Sequence, residues 1–260
     1  MQINYEGFRG GDRTSLDLPK VQENLLKLLH KTGKSIVLVL TSGSALSVNW
    51  ANENIPAIIQ AWYPGQEGGT ALADVLFGDY NPAGRLPVTF YKSVDQLPPF
   101  EDYNMAGRTY KYFEGEPLFP FGYGLSYTKF EYDNLKIADE IKAGDDIKIS
   151  VEVRNTGKIA GDEVVQLYIK DIEASVPVPI YSLQGFKRVH LEAGEKRFVE
   201  FTLKPRQFSV IQIDGDKIKY VIEPGSFKIF VGGSQPGYEA ETTEIIVKEI
   251  KVVGETFIVE

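Results

Sequence analysis

The spacing of hydrophobic positions changes period along the chain. From Leu18 to His30, the residues Val21, Leu25, Leu28 and Leu29 recur on one face of a 3.6-residue repeat and predict a helix. Pro19 suits its first turn, Gly33 lies beyond its end, and Lys27, His30, Lys31 and Lys34 put positive charge at the carbonyl end. Residues 36–40 are an unbroken β-branched and aliphatic run, the pattern of a strand covered on both faces in a parallel or mixed sheet. The following turn, Thr41-Ser42-Gly43-Ser44, falls at the C-terminal edge of such a sheet, where open α/β folds commonly bind ligands. Residues 55–62 predict a second strand, 63–69 a glycine-rich loop, and 70–77 a short helix stopped by Gly78. This order predicts α/β layers. Residues 78–87 are dominated by turn formers, and 91–127 show no clear period, so that stretch needs outside contacts or a function to order it.

Beyond residue 128 the period becomes two. Ile147-Lys148-Ile149-Ser150-Val151-Glu152-Val153 alternates strictly, and residues 164–169, 198–203, 210–213, 219–222 and 226–231 are further strand candidates. Glycine turns at Gly157, Gly194, Gly215 and Gly225 punctuate them. Many short strands so separated predict an antiparallel sandwich of immunoglobulin or fibronectin type III style. The expected organisation is an α/β domain over residues 1–127, an all-β sandwich over 128–236, and a charged C-terminal extension over 237–260 with one extra strand.

Composition narrows the chemistry. A formal net charge of −8 with no dense Lys/Arg block offers nothing to nucleic acid or an anionic membrane surface. With no cysteine, disulfides, thiolate nucleophiles and Cys-ligated metals are excluded. Only His30 and His190 are histidines, which excludes a zinc catalyst built from imidazoles but not a carboxylate calcium site. No stretch approaches membrane-spanning length, and the first residues lack the basic and apolar segments of a secretory signal. The compartment stays open between cytoplasm and, with a signal further upstream, periplasm or exterior. The 14 Tyr and 15 Phe suit packed sheet surfaces or sugar-facing platforms.

Glu6, Asp12, Asp17 and Glu67 are carboxylates in or beside the loops of the first half, but none forms a diagnostic pair in sequence. Asp12-Arg13 reads either as a clamp on sugar hydroxyls, acceptor beside rigid donor fork, or as an ion pair anchoring its own loop. Trp50 and Trp62 read as sugar platforms or, more economically, as core residues beside strands. Gly43, Gly65, Gly68 and Gly69 do not form a phosphate-binding motif, and Ser42 and Ser44 have no deducible His-acid partner.

Longer motifs carry more. Gly7-Phe8-Arg9-Gly10-Gly11-Asp12-Arg13-Thr14-Ser15-Leu16-Asp17-Leu18-Pro19, Ala61-Trp62-Tyr63-Pro64-Gly65-Gln66-Glu67-Gly68-Gly69, Asp79-Tyr80-Asn81-Pro82-Ala83-Gly84-Arg85-Leu86-Pro87-Val88-Thr89-Phe90 and Phe119-Pro120-Phe121-Gly122-Tyr123-Gly124-Leu125-Ser126-Tyr127 resemble, in the expected order, the second domain of glycoside hydrolase family 3. Val153-Arg154-Asn155-Thr156-Gly157, Gly161-Asp162-Glu163-Val164-Val165-Gln166-Leu167-Tyr168 and Leu183-Gln184-Gly185-Phe186-Lys187-Arg188-Val189 resemble the fibronectin type III-like domain of the same enzymes. The resemblance implies a retaining exo-acting β-glucosidase or β-xylosidase, with no cofactor, acting on β-linked saccharides or glycosides. It also implies that the nucleophilic aspartate resides in an N-terminal (β/α)₈ barrel, absent here and a partner in cis or in trans. The acid/base glutamate is expected on a loop ahead of Gly11-Asp12-Arg13, immediately upstream of Met1, with Glu6 as the fallback. By that reading the catalytic residues are unknown within this chain, Asp12 and Arg13 are its substrate-binding candidates, and the isolated chain is inactive. The competing expectation is a non-catalytic carbohydrate-binding or structural module.

Overall fold

The structure is a computed structural model that describes residues 8–9, 12–238 and 240–259; for Phe8, Arg9, Asp12, Arg13 and Asp214 it describes the backbone alone. The chain forms two compact units. One comprises the residues up to Tyr80 together with Val88–Phe121, and the other Asn81–Pro87 together with the residues from Gly122 onward. Asn81–Pro87, inside the stretch expected to be α/β, thus belongs to the second unit.

The first unit opens with two-residue strands β1 (Phe8–Arg9) and β2 (Asp12–Arg13), paired antiparallel. Then come α1 (Lys20–His30), β3 (Val37–Leu40), α2 (Asn49–Asn54), β4 (Ala57–Gln60), α3 (Gly68–Phe77) and the single turn α4 (Thr109–Tyr112). Strands β3 and β4 pair in parallel, Val37 beside Ala57 through Leu40 beside Gln60, joined through α2. Helix α1 follows Pro19, carries Lys27 bonded to Glu23 at 2.7 Å one turn back, and gives way to Gly33 at φ +71°. Its Leu26 packs in a core with Leu40, Leu46, Val48, Ala51 and Ile55.

The apolar stripe that predicted α1 does not face this core. Val21, Leu25, Leu28 and Leu29 are 75%, 57%, 61% and 47% exposed. The periodicity identified the element correctly, but Leu26, on a different flank, is its buried residue. Helix α2 was invisible to pattern, being six residues with four Asn or Glu; buried Ala51 and the neighbouring Trp50 hold it. The strand expected over 55–62 shortens to four residues: Ile55 N–H still bonds back to Ala51 of α2 and Pro56 has no N–H to pair, while beyond its end Trp62 takes a left-handed φ of 55°.

The aperiodic stretch after Phe90 is ordered by bonds of its own. Phe90 and Phe119 form a β-bridge, and the Tyr91 hydroxyl accepts a hydrogen bond from Thr109 N–H at 2.8 Å. Tyr110 stacks on Phe121 with ring centroids 4.2 Å apart, and Arg108 donates to the carbonyls of Pro99 and Asp102.

The second unit contains β5 (Phe130–Lys136), β6 (Glu140–Lys142), β7 (Ile147–Asn155), β8 (Gly161–Asp171), β9 (Ser182–Leu191), β10 (Lys196–Leu203), β11 (Val210–Asp214), β12 (Lys217–Ile222), β13 (Gly225–Gly232), β14 (Ile245–Val253) and β15 (Phe257–Val259). One sheet runs β10-β7-β5, a larger one β6-β14-β13-β8-β9, and a third β11-β12-β15. Alternate residues of β7, from Ile147 through Val153, are buried together with Val165, Leu167, Ile169, Phe227, Ile229, Val231, Ile250 and Val252, so apolar faces of the two larger sheets share one core.

Strand β9 escaped the sequence reading because it is an edge strand whose residues are mostly half-buried or exposed. Residues 237–260 supply β14 and β15. Strand β14 is bonded on both sides, antiparallel to β13 and parallel to β6, and places Ile250 and Val252 in the core. Ile250→Ala should therefore destabilise the protein by about 2–5 kcal/mol in urea denaturation, whereas Ile213→Ala, at an exposed position, should stay within about 0.5 kcal/mol.

Candidate functional site

At the C-terminal ends of β3 and β4 the chain turns twice. Ser42 Oγ donates to the Ser44 carbonyl at 2.8 Å, and Gln60 Nε2 donates to Ser42 Oγ at 3.1 Å, tying the first turn to the second strand. Gln60 Oε1 is buried with no hydrogen-bond partner. Trp62, half-buried, meets Phe90 edge to face at 6.1 Å, and Trp50 meets His30 in the same manner at 5.5 Å. Both tryptophans therefore pack within the fold rather than standing free as platforms. Tyr63 is exposed, and its ring edge lies over Gly43. Glu67, exposed ahead of α3, accepts from Thr70 Oγ1 at 2.9 Å.

The β1–β2 pairing sets Arg9 opposite Asp12 and Phe8 opposite Arg13 on a short hairpin. The side chains of Asp12 and Arg13 lie outside the described residues, as does Glu6. Among the described carboxylates of this unit, Asp17 accepts from Ser15, Glu23 pairs with Lys27, and Glu116 pairs with Lys92. Asp17 and Glu23 border one cavity, with Ser47, Asn49 and Trp50, of about 70 Å³. Binding clefts for small molecules begin near about 300 Å³, so that cavity does not admit a sugar ring. No three His, Asp or Glu side chains converge as a metal site among the described residues.

The residues of the Asn81–Pro87 segment act within the second unit. Arg85 Nη2 pairs with Glu163 Oε2 at 2.7 Å, the two side chains being 6% and 0% exposed. Glu163 Oε1 accepts from the Tyr132 hydroxyl at 2.7 Å and from Thr243 Oγ1 at 2.5 Å. Arg85 Nε donates to the Gly233 carbonyl, which also accepts from Gln166 Nε2 at 2.8 Å. Gln166 Nε2 reaches the Gly122 carbonyl too, and its Oε1 accepts from Tyr168. Asn81 accepts from Ser126 Oγ and Tyr127 N–H and donates to the Ala160 carbonyl. Burial, then the adjacent Glu163 carboxylate, push the Tyr132 hydroxyl well above its usual pKa, so it is a neutral donor.

Glycines make this closeness possible. A side chain at Gly124 would strike the Gly84 carbonyl, and one at Gly233 would strike Glu163 Oε1. Glu163 has both oxygens engaged and no exposed surface, so it cannot serve as proton donor or nucleophile to a glycoside. Sequence reasoning missed its partnership with Arg85 because the residues are 78 positions apart. The signal available was a charge in phase with the apolar alternation of β8, since Glu163 is buried on the same face as Val165, Leu167 and Ile169.

Two other features of the second unit carry polar chemistry. An open depression of about 700 Å³ is bordered by Lys129, Phe230, Tyr238, Glu241, Glu244 and Val247. On the surface, Asp162 Oδ1 lies 2.6 Å from His190 Nδ1 while its other oxygen accepts from Arg188 at 2.6 Å. Burial alone would raise the Asp162 pKa, but hydrogen bonds from His190 and Arg188 outweigh it and hold it low. The hydrogen bond to Asp162 raises His190.

A layered α/β unit is followed by an all-β sandwich, and the motifs of both match known sequences. The model of the glycosyl hydrolase family 3 C-terminal domain matches residues 2–127, and that of a fibronectin type III-like domain matches 163–235. The chain belongs to glycosyl hydrolase family 3. It is 47% identical over 234 residues to a xylan 1,4-β-xylosidase of Xylanibacter ruminicola, covering 90% of this chain and 27% of that protein. It is 40% identical over 233 residues to a periplasmic β-glucosidase of Salmonella typhimurium, covering 85% and 30%. A β-glucosidase from Listeria innocua, solved with isofagomine, superposes with a TM-score of 0.81 at 32% identity over 95% of this chain and 35% of that one. The chain thus spans about a third of each of these relatives.

Replacing Arg85 by Met should cost about 3–5 kcal/mol in chemical denaturation, because it leaves the Glu163 carboxylate buried without its cation, and Arg85→Met with Glu163→Met should recover only part of that loss, since the Tyr132 and Thr243 hydroxyls then lose their acceptor. His190 should titrate by NMR above its ordinary value of 6.5, and Asp162→Asn should bring it down. Its folded pKa being raised, the stability it adds is complete below pH 6.5 and is lost as pH climbs through the raised value.

Proposed function

We propose that this chain is the C-terminal part of a retaining exo-β-glycosidase that removes terminal β-glucosyl or β-xylosyl residues, and that alone it does not turn over substrate. The observation that carries this reading is the family match across both units, together with the saturation of the fully buried carboxylate Glu163. Retaining hydrolysis needs two carboxyl groups about 5–5.5 Å apart across the scissile bond. In this reading the nucleophilic aspartate comes from an N-terminal barrel and the acid/base from the loop ahead of the β1–β2 hairpin. The first unit then forms one wall of the cleft, and the sandwich supports packing. The barrel acts in cis or as a separate polypeptide.

On that wall Asp12 and Arg13 hold sugar hydroxyls, the carboxylate accepting and the guanidinium donating. Trp62, Tyr63 and Glu67 form the neighbouring scaffold. A second reading, a non-catalytic carbohydrate-binding module, is favoured by the depression that sets Phe230 and Tyr238 beside Glu241 and Glu244, a pairing of aromatic surface and hydrogen-bonding groups suited to sugars.

The purified 260-residue chain should show no hydrolysis of aryl β-glucosides or β-xylosides above blank; turnover at an ordinary enzymatic rate would overturn the proposal. Calorimetric binding of xylo- or cello-oligosaccharides without turnover would favour the second reading. In an active protein containing this chain joined to a family barrel, Asp12→Ala should lower kcat/KM roughly 10- to 100-fold, the loss of one charge-assisted hydrogen bond. Unchanged kcat/KM with a lowered Tm would show instead that Asp12 only anchors its loop.

A further inference from the structure

A free strand edge offers unpaired N–H and C=O groups to any other strand, and folded proteins blunt it with charges, bulges or brevity. The second unit does so at every described edge but one. Strand β9 carries Lys187 and Arg188, and bulges by one residue where its register with β8 shifts between Leu167 and Tyr168. Strand β10 carries Lys196, Arg197 and Glu200, and β5 bulges between Asp133 and Lys136. Strands β6 and β15 are three residues each. Strand β11, at the edge of the third sheet, has none of these devices. Val210-Ile211-Gln212-Ile213 is uncharged, its pairing with β12 is regular throughout, and its only charged residue is Asp214 at the last position.

The same strand leaves an apolar face open. Ile211 pairs with Tyr220 and Ile213 with Ile218, which puts these four on one side of the sheet. Val210 and Val221, on the other side, are buried, whereas Ile211, Ile213 and Ile218 are each more than half exposed. Arg206 stacks 3.8 Å over the Tyr220 ring and closes one end of this patch. Edge and face together call for a partner that brings both a strand and aliphatic side chains. Strand β11 is itself such a partner. Paired antiparallel with β11 of a second copy about a two-fold axis at Gln212, all its residues find a mate: Gln212 meets Gln212, Ile211 meets Ile213, and Val210 meets Asp214. The row Tyr220–Ile211 then continues into Ile213–Ile218 of the second copy, and the axis repeats the row in reverse. Charge agrees with this register, since each Asp214 lies opposite a valine, whereas an axis at Asp214 would set two acidic residues face to face.

We propose that the free edge of β11 joins that of a second copy of this chain, giving a two-fold dimer whose third sheets merge into one of six strands, ordered β15-β12-β11-β11-β12-β15. The contact is isologous, so it closes at two copies and leaves only the short β15 strands at the ends of the merged sheet. The seam is five residues a side, small against the roughly 20–30 residues of a standard interface. The dimer is therefore weak and concentration-dependent. The proposal does not depend on the catalytic reading.

Sedimentation equilibrium of the 260-residue chain, from micromolar to millimolar loading, should show its mass rise from 29.1 kDa towards twice that value. Ile211→Lys with Ile213→Lys should hold it at the monomer mass at every loading. Both side chains are exposed, so circular dichroism of the variant should match the parent, and Ile213→Lys alone gives the same readout should the pair disturb folding. A second arm needs no change of charge. The chain has no cysteine, so Gln212→Cys places a lone thiol at the axis, where facing Cα atoms of an antiparallel pair stand about 4.5–5.5 Å apart, a separation a disulfide spans. Mild oxidation should convert Gln212→Cys to a covalent dimer and leave Ile218→Cys, exposed but away from the axis, monomeric. A chain that stays at 29.1 kDa at millimolar loading, a dimer that both lysine variants leave intact, or cross-linking no faster at position 212 than at 218 would overturn the proposal. Growth beyond two copies would overturn it as well, because a two-fold seam closes.

Discussion

The ion pair between Arg85 and Glu163 organises the second unit. A carboxylate with no exposure is costly to bury, and this one is tolerated because a guanidinium, a phenol and a hydroxyl together engage both its oxygens. The groups come from four places distant in the chain: the Asn81–Pro87 segment, β5, β8 and the turn before β14. A pairing so dispersed forms only when the segment, both large sheets and the C-terminal strand are in register. That makes it a condition on the whole sandwich, not a local bond.

Around it, neighbouring polar groups repeat the arrangement. Asn81 bonds Ser126, Tyr127 and Ala160, and Gln166 bonds the carbonyls of Gly122 and Gly233. Buried amides and carboxylates satisfied in this manner fix geometry more than they add net stability. The Asn-Pro-Ala-Gly-Arg and Phe-Gly-Tyr-Gly motifs are explained by this requirement. Their glycines permit close backbone approach, as Gly124 does to Gly84, and their polar residues meet β8. These motifs, prominent in sequence, are structural ties.

Much of this was legible beforehand. The strict alternation of β7 declared a half-buried strand, and the 36–40 run declared a parallel one. Elements whose stability comes from partners were not legible. Helix α2 depends on Trp50 and Ala51 reaching a core, and β9 is an edge strand with a polar surface. The stripe of α1 gave the right element and misled about its orientation, because periodicity reports an apolar face without saying which flank meets the core. For the site, sequence motifs indicated the family, but Glu163 was unreadable as an ion-pair partner since Arg85 stands 78 residues away.

The position of β14 has a consequence for biosynthesis. Inserted between β6 and β13, this strand leaves the ribosome after both of them, and until it emerges each lacks it as a backbone partner. Domains generally fold as units during synthesis, so this sandwich closes only once β14 has emerged. The Asn81–Pro87 segment, translated long before, must wait as a tether for a binding surface that does not yet exist. A nascent product cut short before β14 would thus be as badly damaged as one with a lesion at the centre of its sheet.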